Sequence, residues 1–512
     1  MLTFAALFRN TIIHSEPICM KQLFRDYWPY LLALLPALLL RDFSPATELR
    51  YISCATETLR EGNIFNLTYQ GEPFPEIMPL YIWLIAGLKW LLGHHYMISI
   101  GLFSFLPAIG ILWVMNRWVE RFDTRSFRLC DGSQSRMLAS FMLFTCGMQC
   151  VMAFFVSPCM LFCFFLVCSL YTFWRITAEH GAYGPSPDKR IRRRLQWQFG
   201  FYIFLAVFTN GPLGISIPLV STTLFLLLSG RIRYWGRVWG WRTWLVLFSL
   251  VSLWMYGTWQ EGGPEAIERL MMNEPLRQVF NPVSHDRPWY YYMVSLWAVS
   301  LPWGPLCLIV LIASFIKRVR SGSFTWNKPF DSSLQSFFVC TFLVAFIYFS
   351  LIRYKLDVNM LPAYPFLVYA GVMQLGQWRW PLRWNWPIIY TCRVVLLIIF
   401  IAGCMTPWLN INAGCYGRIC YHANGLKREL GTEKVYVYHM RRTSGMDAYL
   451  HEDPIDATPQ DIADGKLQNT LLIMKEYRLN SLRKQLDKLG VPAEKQGKVI
   501  DELGAYVILH FE

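Results

Sequence analysis

The sequence predicts a polytopic α-helical membrane protein that ends in a small α/β domain, and three observations point to this class. Hydrophobic residues make up 54% of the 512 residues and charged residues only 16%, well below the roughly 25% of soluble domains. Long apolar runs recur almost to residue 410, as a series of membrane-spanning helices requires. The chain then becomes polar, so we divide it into a membrane module, 1–408, and a soluble domain, 409–512.

The apolar runs predict roughly 11–13 transmembrane helices, because each span needs about 20 apolar residues. The predicted spans lie near 27–41, 96–116, 136–155, 159–175, 197–210, 212–230, 241–257, 290–315, 335–352, 358–376 and 388–408.

The basic residues predict the orientation of these spans. The net charge of +14 is distributed in short clusters between apolar runs, such as DKRIRRR at 188–194 and KRVR at 317–320. Clusters of this kind mark cytoplasmic loops, which places the N-terminus inside and the C-terminal domain outside. A nucleic-acid partner is disfavoured, because no soluble basic domain is present to hold one.

The polar C-terminal segment has the pattern of a small α/β domain. Strand-like runs occur at 435–440, 470–477 and 506–511, with a helix-like stretch, SLRKQLDKLG, at 481–490. Cys415 and Cys420 flank a short turn before it, and either form a disulfide on an oxidising side or remain free thiols.

The first outer loop, 42–95, interrupts the apolar pattern with a group of acidic residues. The stretch TELRYISCATETLRE (47–61) predicts an amphipathic helix that lies along the membrane interface, capped by Thr47 and ended by Gly62. Residues 79–93 contain Lys89 and predict a second interfacial helix. For Glu48 and Glu57, simple solvation of the first helix is the alternative to a chemical role.

Ionisable residues from several outer loops all lie directly beside spans. These residues are Glu48, Glu76, His285, Arg353 and Lys355. Carboxylates in such positions can act as acid or base, and cations can hold an anion such as a lipid phosphate. The alternatives are that Arg353 and Lys355 snorkel at a span end, that His285 caps a loop, and that Tyr292 belongs to an interfacial aromatic belt.

Four segments in the same order resemble a known family. The stretch ELRYISCATETLREGNIF…EPFPEIMPLYIWL (48–84) resembles the first outer loop of GT-C glycosyltransferases of the protein mannosyltransferase and aminoarabinose transferase group. FTNGPLG (208–214) resembles that family's Lys-Gly-Pro turn. NEPLRQVFNPVSHDRPWYYY (273–292) and RYKLDVNMLPAYPF (353–366) resemble two later outer loops.

The resemblance implies a GT-C membrane glycosyltransferase in the bacterial inner membrane, with its C-terminal domain in the periplasm. Such an enzyme moves a sugar from a polyprenyl-phosphate donor to a lipid A, protein or envelope-glycan acceptor. We expect Glu48 as the catalytic base and Arg353 with Lys355 at the donor phosphate. The further substrate contacts expected are Arg50, Glu76, Asn210, His285 and Tyr292. We expect no cofactor and no metal, because convergent carboxylates are few; membrane lipids are the remaining partners.

Several charged family positions are neutral in this chain. They are occupied by Thr47, Ile77, Asn210 and Cys159. Glu48 could serve as base in a different arrangement, or the protein could be a non-catalytic lipid-binding paralogue. A lipid or sugar transporter or flippase is the third alternative, and it would place ionisable groups or broken helices near the bilayer midplane.

Overall fold

The apolar segments fold into helices and the polar tail into a sheet flanked by helices. The computed structural model describes residues 20–45, 47–69, 71–93, 95, 97–122, 132–177, 189–273, 280, 282, 285–322, 330–331, 333–378, 385–412, 416–432, 434–440, 445–450 and 454–511. The chain divides into two compact units. The first unit comprises Met1–Leu34, Pro75–Tyr81 and Gly101–Ile399, and the second comprises Leu35–Phe74, Ile82–Ile100 and Phe400–Glu512.

Each predicted span coincides with helical structure. The helices up to residue 412 are α1 (Met20–Leu40), α2 (Glu48–Glu61), α3 (Pro79–Leu92), α4 (Met97–Phe122), α5 (Gly132–Phe144), α6 (Gly147–Met152), α7 (Pro158–Thr177), α8 (Lys189–Asn210), α9 (Leu213–Leu228), α10 (Trp235–Val238), α11 (Trp241–Glu268), α12 (Tyr291–Val299), α13 (Trp303–Arg320), α14 (Leu334–Leu351), α15 (Tyr364–Gln377), α16 (Asn385–Cys404) and α17 (Thr406–Asn412).

The lengths and hydropathies of these helices fit a polytopic membrane protein, as predicted. Within the described residues, α4, α7, α14 and α16 are long and apolar enough to cross a membrane. The number rises to six if two bent helix pairs each form one span. The finer prediction of 11–13 transmembrane helices therefore stays a prediction.

Breaks in two of the predicted spans meet inside the first unit. The segment predicted at 136–155 is interrupted between α5 and α6, and the segment predicted at 290–315 bends by 120° between α12 and α13. Gly147 N–H donates to the carbonyl oxygen of Leu301 at 2.8 Å. A Cβ at position 147 would lie 2.7 Å from the carbonyl oxygen of Val299. Glycine thus permits a close approach of two backbones that periodicity alone does not reveal.

The helix predicted at 47–61 is confirmed as α2, and its position along the membrane interface stays a prediction. It ends at Gly62, whose left-handed φ of 78° lets its N–H bond to the Thr58 carbonyl oxygen. The predicted cap is wrong, because the Thr47 side chain makes no capping hydrogen bond and its hydroxyl donates to Ser44 Oγ instead. Helix α3 has 14 residues, about 21 Å of rise, too short to cross a hydrocarbon core of about 30 Å.

The C-terminal segment forms a five-stranded sheet that belongs to the second unit. Its elements are α18 (Gly417–Leu430), β3 (Val435–Val437), α19 (Asp447–Leu450), β4 (Ile455–Asp456), α20 (Pro459–Ala463), β5 (Thr470–Lys475), α21 (Leu479–Lys488), β6 (Lys498–Leu503) and β7 (Tyr506–Phe511); β1 (Thr68–Tyr69) and β2 (Glu72–Pro73) form a separate hairpin. The strand order is β4-β3-β5-β7-β6. The β4–β3 and β3–β5 pairs are parallel, and the β5–β7 and β6–β7 pairs antiparallel.

The core of this sheet confirms the strands predicted near 435, 470 and 506 and the helix near 481. Leu482 and Leu486 of α21 are buried against Leu472, Val507 and Leu509 of the sheet. Strands β4 and β6 were not predicted, because β4 has two residues and β6 alternates between half-buried and exposed positions. Of the predicted cysteine pair, Cys415 lies outside the described residues.

Candidate functional site

The predicted site residues are divided between the two compact units. Glu48 and Arg50 belong to the second unit. Those of the first unit are Glu76, Asn210, His285, Tyr292, Arg353 and Lys355.

The loops before α12 and after α14 form a short antiparallel bridge in the first unit. Asp286 pairs with Tyr354, and Lys355 N–H donates to the carbonyl oxygen of His285 at 3.1 Å. His285 adopts a left-handed φ of 58°, a conformation that is unusual for a non-glycine residue and is enriched at functional sites. The bridge brings His285, Arg353 and Lys355 together, although some 70 residues separate them in the chain.

Lys355 is a buried cation in this bridge. Only 1% of its surface is exposed, and its ammonium donates to the carbonyl oxygen of Ile352. Burial lowers the pKa of Lys355, and the Asp286 carboxylate opposes that effect. An ammonium has three donors, and the described part of the chain supplies an acceptor for one of them. The remaining donors are available to an anion.

Arg353 lies beside Lys355 in the bridge. It is exposed, and its ion pair is weak. Its guanidinium donates to Asp286 Oδ2 at 2.9 Å and to the carbonyl oxygen of Phe280 at 3.0 Å. The side chains of Arg353 and Asp286 are 54% and 47% exposed, and an ion pair so open to solvent contributes roughly 0–1 kcal/mol. A stronger anionic ligand could therefore replace the Asp286 carboxylate.

These cations surround a cavity of about 430 Å³. It is lined by Asp286, Arg287, Pro288, Trp289, Ser350, Leu351, Arg353 and Lys355. Three cationic side chains face one carboxylate, next to apolar Leu351 and Trp289. This arrangement suits an anionic group attached to an apolar chain.

Tyr292 does not line this cavity. Its side chain is fully buried, and its hydroxyl donates to the carbonyl oxygen of Leu356 at 2.8 Å. The neighbouring Tyr291 hydroxyl donates to Asp357 Oδ1 at 2.7 Å. Both tyrosines thus hold the segment that follows Lys355.

The Asn210 turn and the Glu76 segment also lie together in the first unit. Gly211 has a φ of 65°, and a Cβ there would lie 3.3 Å from Cε of Met78. Glu76 is exposed and Asn210 is half-buried.

Glu48 of the second unit is held by a buried ion pair. Arg41 donates through both terminal nitrogens to the two carboxylate oxygens, each at 2.6 Å. Ser44 N–H donates to Glu48 Oε2 at 2.7 Å. The Glu48 side chain is fully buried and that of Arg41 is 13% exposed. A bidentate contact between a guanidinium and a carboxylate fixes the orientation of both groups, so Arg41 holds the Glu48 side chain in place.

Sequence reasoning missed Arg41 and several other polar contacts of the second unit. Besides Arg41, Asp42 accepts from Gly417 N–H at 2.8 Å and from the Tyr449 hydroxyl. Ser53 of α2 donates to the buried Asp447 carboxylate at 2.5 Å. The signal that could have found Arg41 and Asp42 is their position directly after the first apolar run. Arg50 lies with its guanidinium 5.9 Å from the Phe74 ring centroid.

The fold identifies the structural class. The crystal structure of ArnT from Cupriavidus metallidurans bound to undecaprenyl phosphate has a TM-score of 0.69 with this chain at 14% sequence identity, and the match covers 96% of this chain and 98% of ArnT. The protein therefore has the GT-C fold of ArnT. The resemblance inferred from the four motifs is confirmed at the level of the fold.

Two curated relatives are similar to this chain, and the name of the second agrees with this class. An uncharacterized protein of Aquifex aeolicus (strain VF5) is 23% identical over 66% of this chain and 62% of its own length. An undecaprenyl phosphate-alpha-4-amino-4-deoxy-L-arabinose arabinosyl transferase of Shewanella sediminis (strain HAW-EB3) is 25% identical over 65% of this chain and 55% of its own length. The chain thus matches less than two thirds of the length of these relatives. No family model matches the chain.

Proposed function

We propose that the protein is a membrane glycosyltransferase that moves a sugar from a polyprenyl-phosphate donor to a lipid A, protein or envelope-glycan acceptor. The observation that carries this proposal is the buried Lys355 ammonium at the cationic cavity, with donors left for an anion. The ArnT fold and the arabinosyl transferase relative support it.

The cavity suits the leaving group of this reaction. When a sugar leaves a polyprenyl phosphate, negative charge develops on the phosphate oxygens, and fixed cations stabilise that charge in the transition state. Lys355 would act strongly, because an electrostatic interaction gains strength where water is excluded. Arg353 would exchange its exposed Asp286 partner for the phosphate, and Leu351 and Trp289 would contact the first isoprenoid units.

Glu48 remains our candidate for the base that accepts the proton of the acceptor. In that role, Arg41 controls the availability of the carboxylate. We propose Arg50, Glu76, Asn210 and His285 as further substrate contacts. Tyr292 acts in this proposal by supporting the segment that follows Lys355.

Charge removal at Lys355 tests the donor site. Lys355→Met should weaken undecaprenyl phosphate binding by about tenfold or more, the loss expected for hydrogen bonds to a charged group. Lys355→Arg should restore part of it. Binding is measured by native mass spectrometry of the protein in nanodiscs, and sugar transfer is measured in vesicles.

Lys317→Met is the matched control, because it removes the same charge at the end of α13. If both methionine variants bind the lipid phosphate equally well, the donor site lies elsewhere.

The Arg41–Glu48 pair favours a second candidate, a lipid-binding protein without transferase activity. Both carboxylate oxygens of Glu48 already accept from Arg41, and Thr47 and Ile77 are neutral where the resembled family carries charge. Binding and sugar-transfer assays of the wild-type protein distinguish the transferase from the lipid-binding protein. Binding of undecaprenyl phosphate without any turnover of a polyprenyl-phosphate sugar would favour the lipid-binding protein.

We also propose a bacterial inner-membrane location with the C-terminal domain in the periplasm. The basic clusters support this orientation. Alkaline phosphatase fused to the C-terminus should be active in cells, because that enzyme requires an oxidising compartment for its disulfides. An inactive fusion with an active cytoplasmic reporter in its place would contradict the orientation.

A further inference from the structure

A second cavity, within the second unit, has the chemistry of an interfacial lipid site. Its volume is about 310 Å³. Its walls come from the end of α1 and the segment after it, from the start of α18, and from His95, Met97, Tyr449, Leu503 and Tyr506. We call it the Arg418 pocket, defined by Leu39, Leu40, Asp42, Arg418, Tyr421 and Tyr449. Of its lining residues, the transferase proposal uses Arg41, through its contact with Glu48, and none of the six that define the pocket.

Among the described residues, the cation Arg418 of this pocket has no hydrogen-bonding or ion-pair partner. Arg41 is bound to Glu48, and the Asp42 carboxylate already accepts from Phe43 N–H, Gly417 N–H and the Tyr449 hydroxyl. Arg418 is exposed and makes no hydrogen bond or ion pair within the described residues. Its guanidinium can therefore bind an anion, and phosphate matches its planar fork of donors.

The apolar wall places this cation at a membrane boundary. The apolar run of α1 ends at Leu40, and Arg41 follows immediately. Leu39 and Leu40 are 54% and 46% exposed, so the end of this run faces outward. Tyr421 is 70% exposed, and tyrosines are typical of the headgroup level of a bilayer.

We propose that the Arg418 pocket binds the headgroup of an anionic phospholipid, with Arg418 and the Tyr421 hydroxyl at the phosphate and Leu39 and Leu40 against the acyl chains. The bound lipid ties α18 of the C-terminal segment to the membrane. A phosphate could come from a lipid or from solution; the exposed leucines beside the guanidinium favour the lipid.

The test compares lipid retention by two arginine variants of one helix. The full-length protein is reconstituted in nanodiscs of phosphatidylcholine with one fifth phosphatidylglycerol, and retained lipids are counted by native mass spectrometry. Arg418→Gln should reduce phosphatidylglycerol retention about tenfold or more. Arg428→Gln removes the same charge from an exposed position of α18 outside the pocket, and it should retain phosphatidylglycerol like the wild type.

A second pair of variants tests the contribution of Tyr421 to phosphatidylglycerol retention. Tyr421→Ala should reduce retention, whereas Tyr477→Ala should not, because Tyr477 is equally exposed at 69% but lies outside the pocket. Equal losses in the two arginine variants would mean a general charge effect and overturn the proposal. If the wild type retained phosphatidylcholine as strongly as phosphatidylglycerol, the proposal would also be overturned.

Soluble glycerol 1-phosphate distinguishes the two sources of phosphate. We expect no displacement of phosphatidylglycerol at millimolar concentration, because the acyl chains contribute to binding. Complete displacement would identify a site for free phosphate compounds instead of a lipid. None of these readouts depends on sugar transfer, so they can succeed or fail independently of the transferase proposal.

Discussion

The buried pair between Arg41 and Glu48 makes a quantitative prediction about the second unit. Removing one partner of a buried ion pair costs about 3–5 kcal/mol, because the other charge is left uncompensated. Arg41→Met should therefore lower the free energy of unfolding within this range. Glu48→Gln should cost near its lower end, because glutamine retains an acceptor for Ser44 N–H.

The double variant provides the decisive comparison. Replacing both charges by neutral groups of similar size leaves no buried charge, so Arg41→Met with Glu48→Gln should be less destabilised than the sum of the single variants by about 2 kcal/mol or more. Unfolding is followed by pulse proteolysis of the detergent-solubilised protein across a denaturant series.

An exposed ion pair at the end of α2, the helix that begins with Glu48, provides the control. Arg60 and Glu61 of α2 are 3.3 Å apart, with 46% and 31% of their side chains exposed, and neutralising them should change stability by about 1 kcal/mol or less. If the Arg41 and Glu48 variants are additive and as mild as this control, the reasoning from burial is refuted. A Glu48→Gln variant that keeps wild-type stability but loses sugar transfer would instead identify Glu48 as the base.

Two further predictions concern other parts of the chain. Gly211→Ala should destabilise the first unit by about 1–2 kcal/mol, because alanine is strained at a φ of 65° and meets Met78; Gly236→Ala, with open space around it, is the comparison in the same unfolding assay. Hydrogen bonds from Lys466 and Thr458 lower the pKa of Asp461 from 3.8 to about 2, so the stability this carboxylate gives to α20 is present above pH 4 and is lost as the pH falls towards 2. The protection factors of the amides in 459–463, which are exchange rates corrected for the intrinsic effect of pH, should fall over that interval, and Asp461→Asn should remove this fall; wild-type protection factors unchanged down to pH 2 would contradict the assignment.

Much of the fold could be predicted because it depends on local patterns. Helix α2 follows from apolar residues at helical spacing and from a glycine that can adopt a positive φ, both of which are visible in the sequence. The breaks near Gly147 and Leu301 could not be predicted, because they depend on two segments about 150 residues apart that share a hydrogen bond. The same holds for β6, whose position depends on its pairing with β7.

The candidate site was likewise predicted only in part from the sequence. The sequence placed His285, Arg353 and Lys355 beside apolar segments, which are helices in the structure, but their meeting in one bridge depends on tertiary structure. Tyr292 was expected to line a cavity and is buried instead, with its hydroxyl bound to a backbone carbonyl. Glu48 was expected to be either solvated or chemically active, and its partner Arg41 was not considered.

The sequence by itself determined that this chain is a polytopic helical membrane protein of the GT-C kind, because hydrophobicity, basic clusters and motif order are properties of short segments. Only the tertiary structure decided which ionisable side chains are buried and which groups they contact. A side chain's charge acts according to its burial and its partners, and the partners of Glu48 and Lys355 are brought to them by folding. Arg418 makes no hydrogen bond or ion pair within the described residues, and Asp42, which lines the same pocket, accepts from other donors.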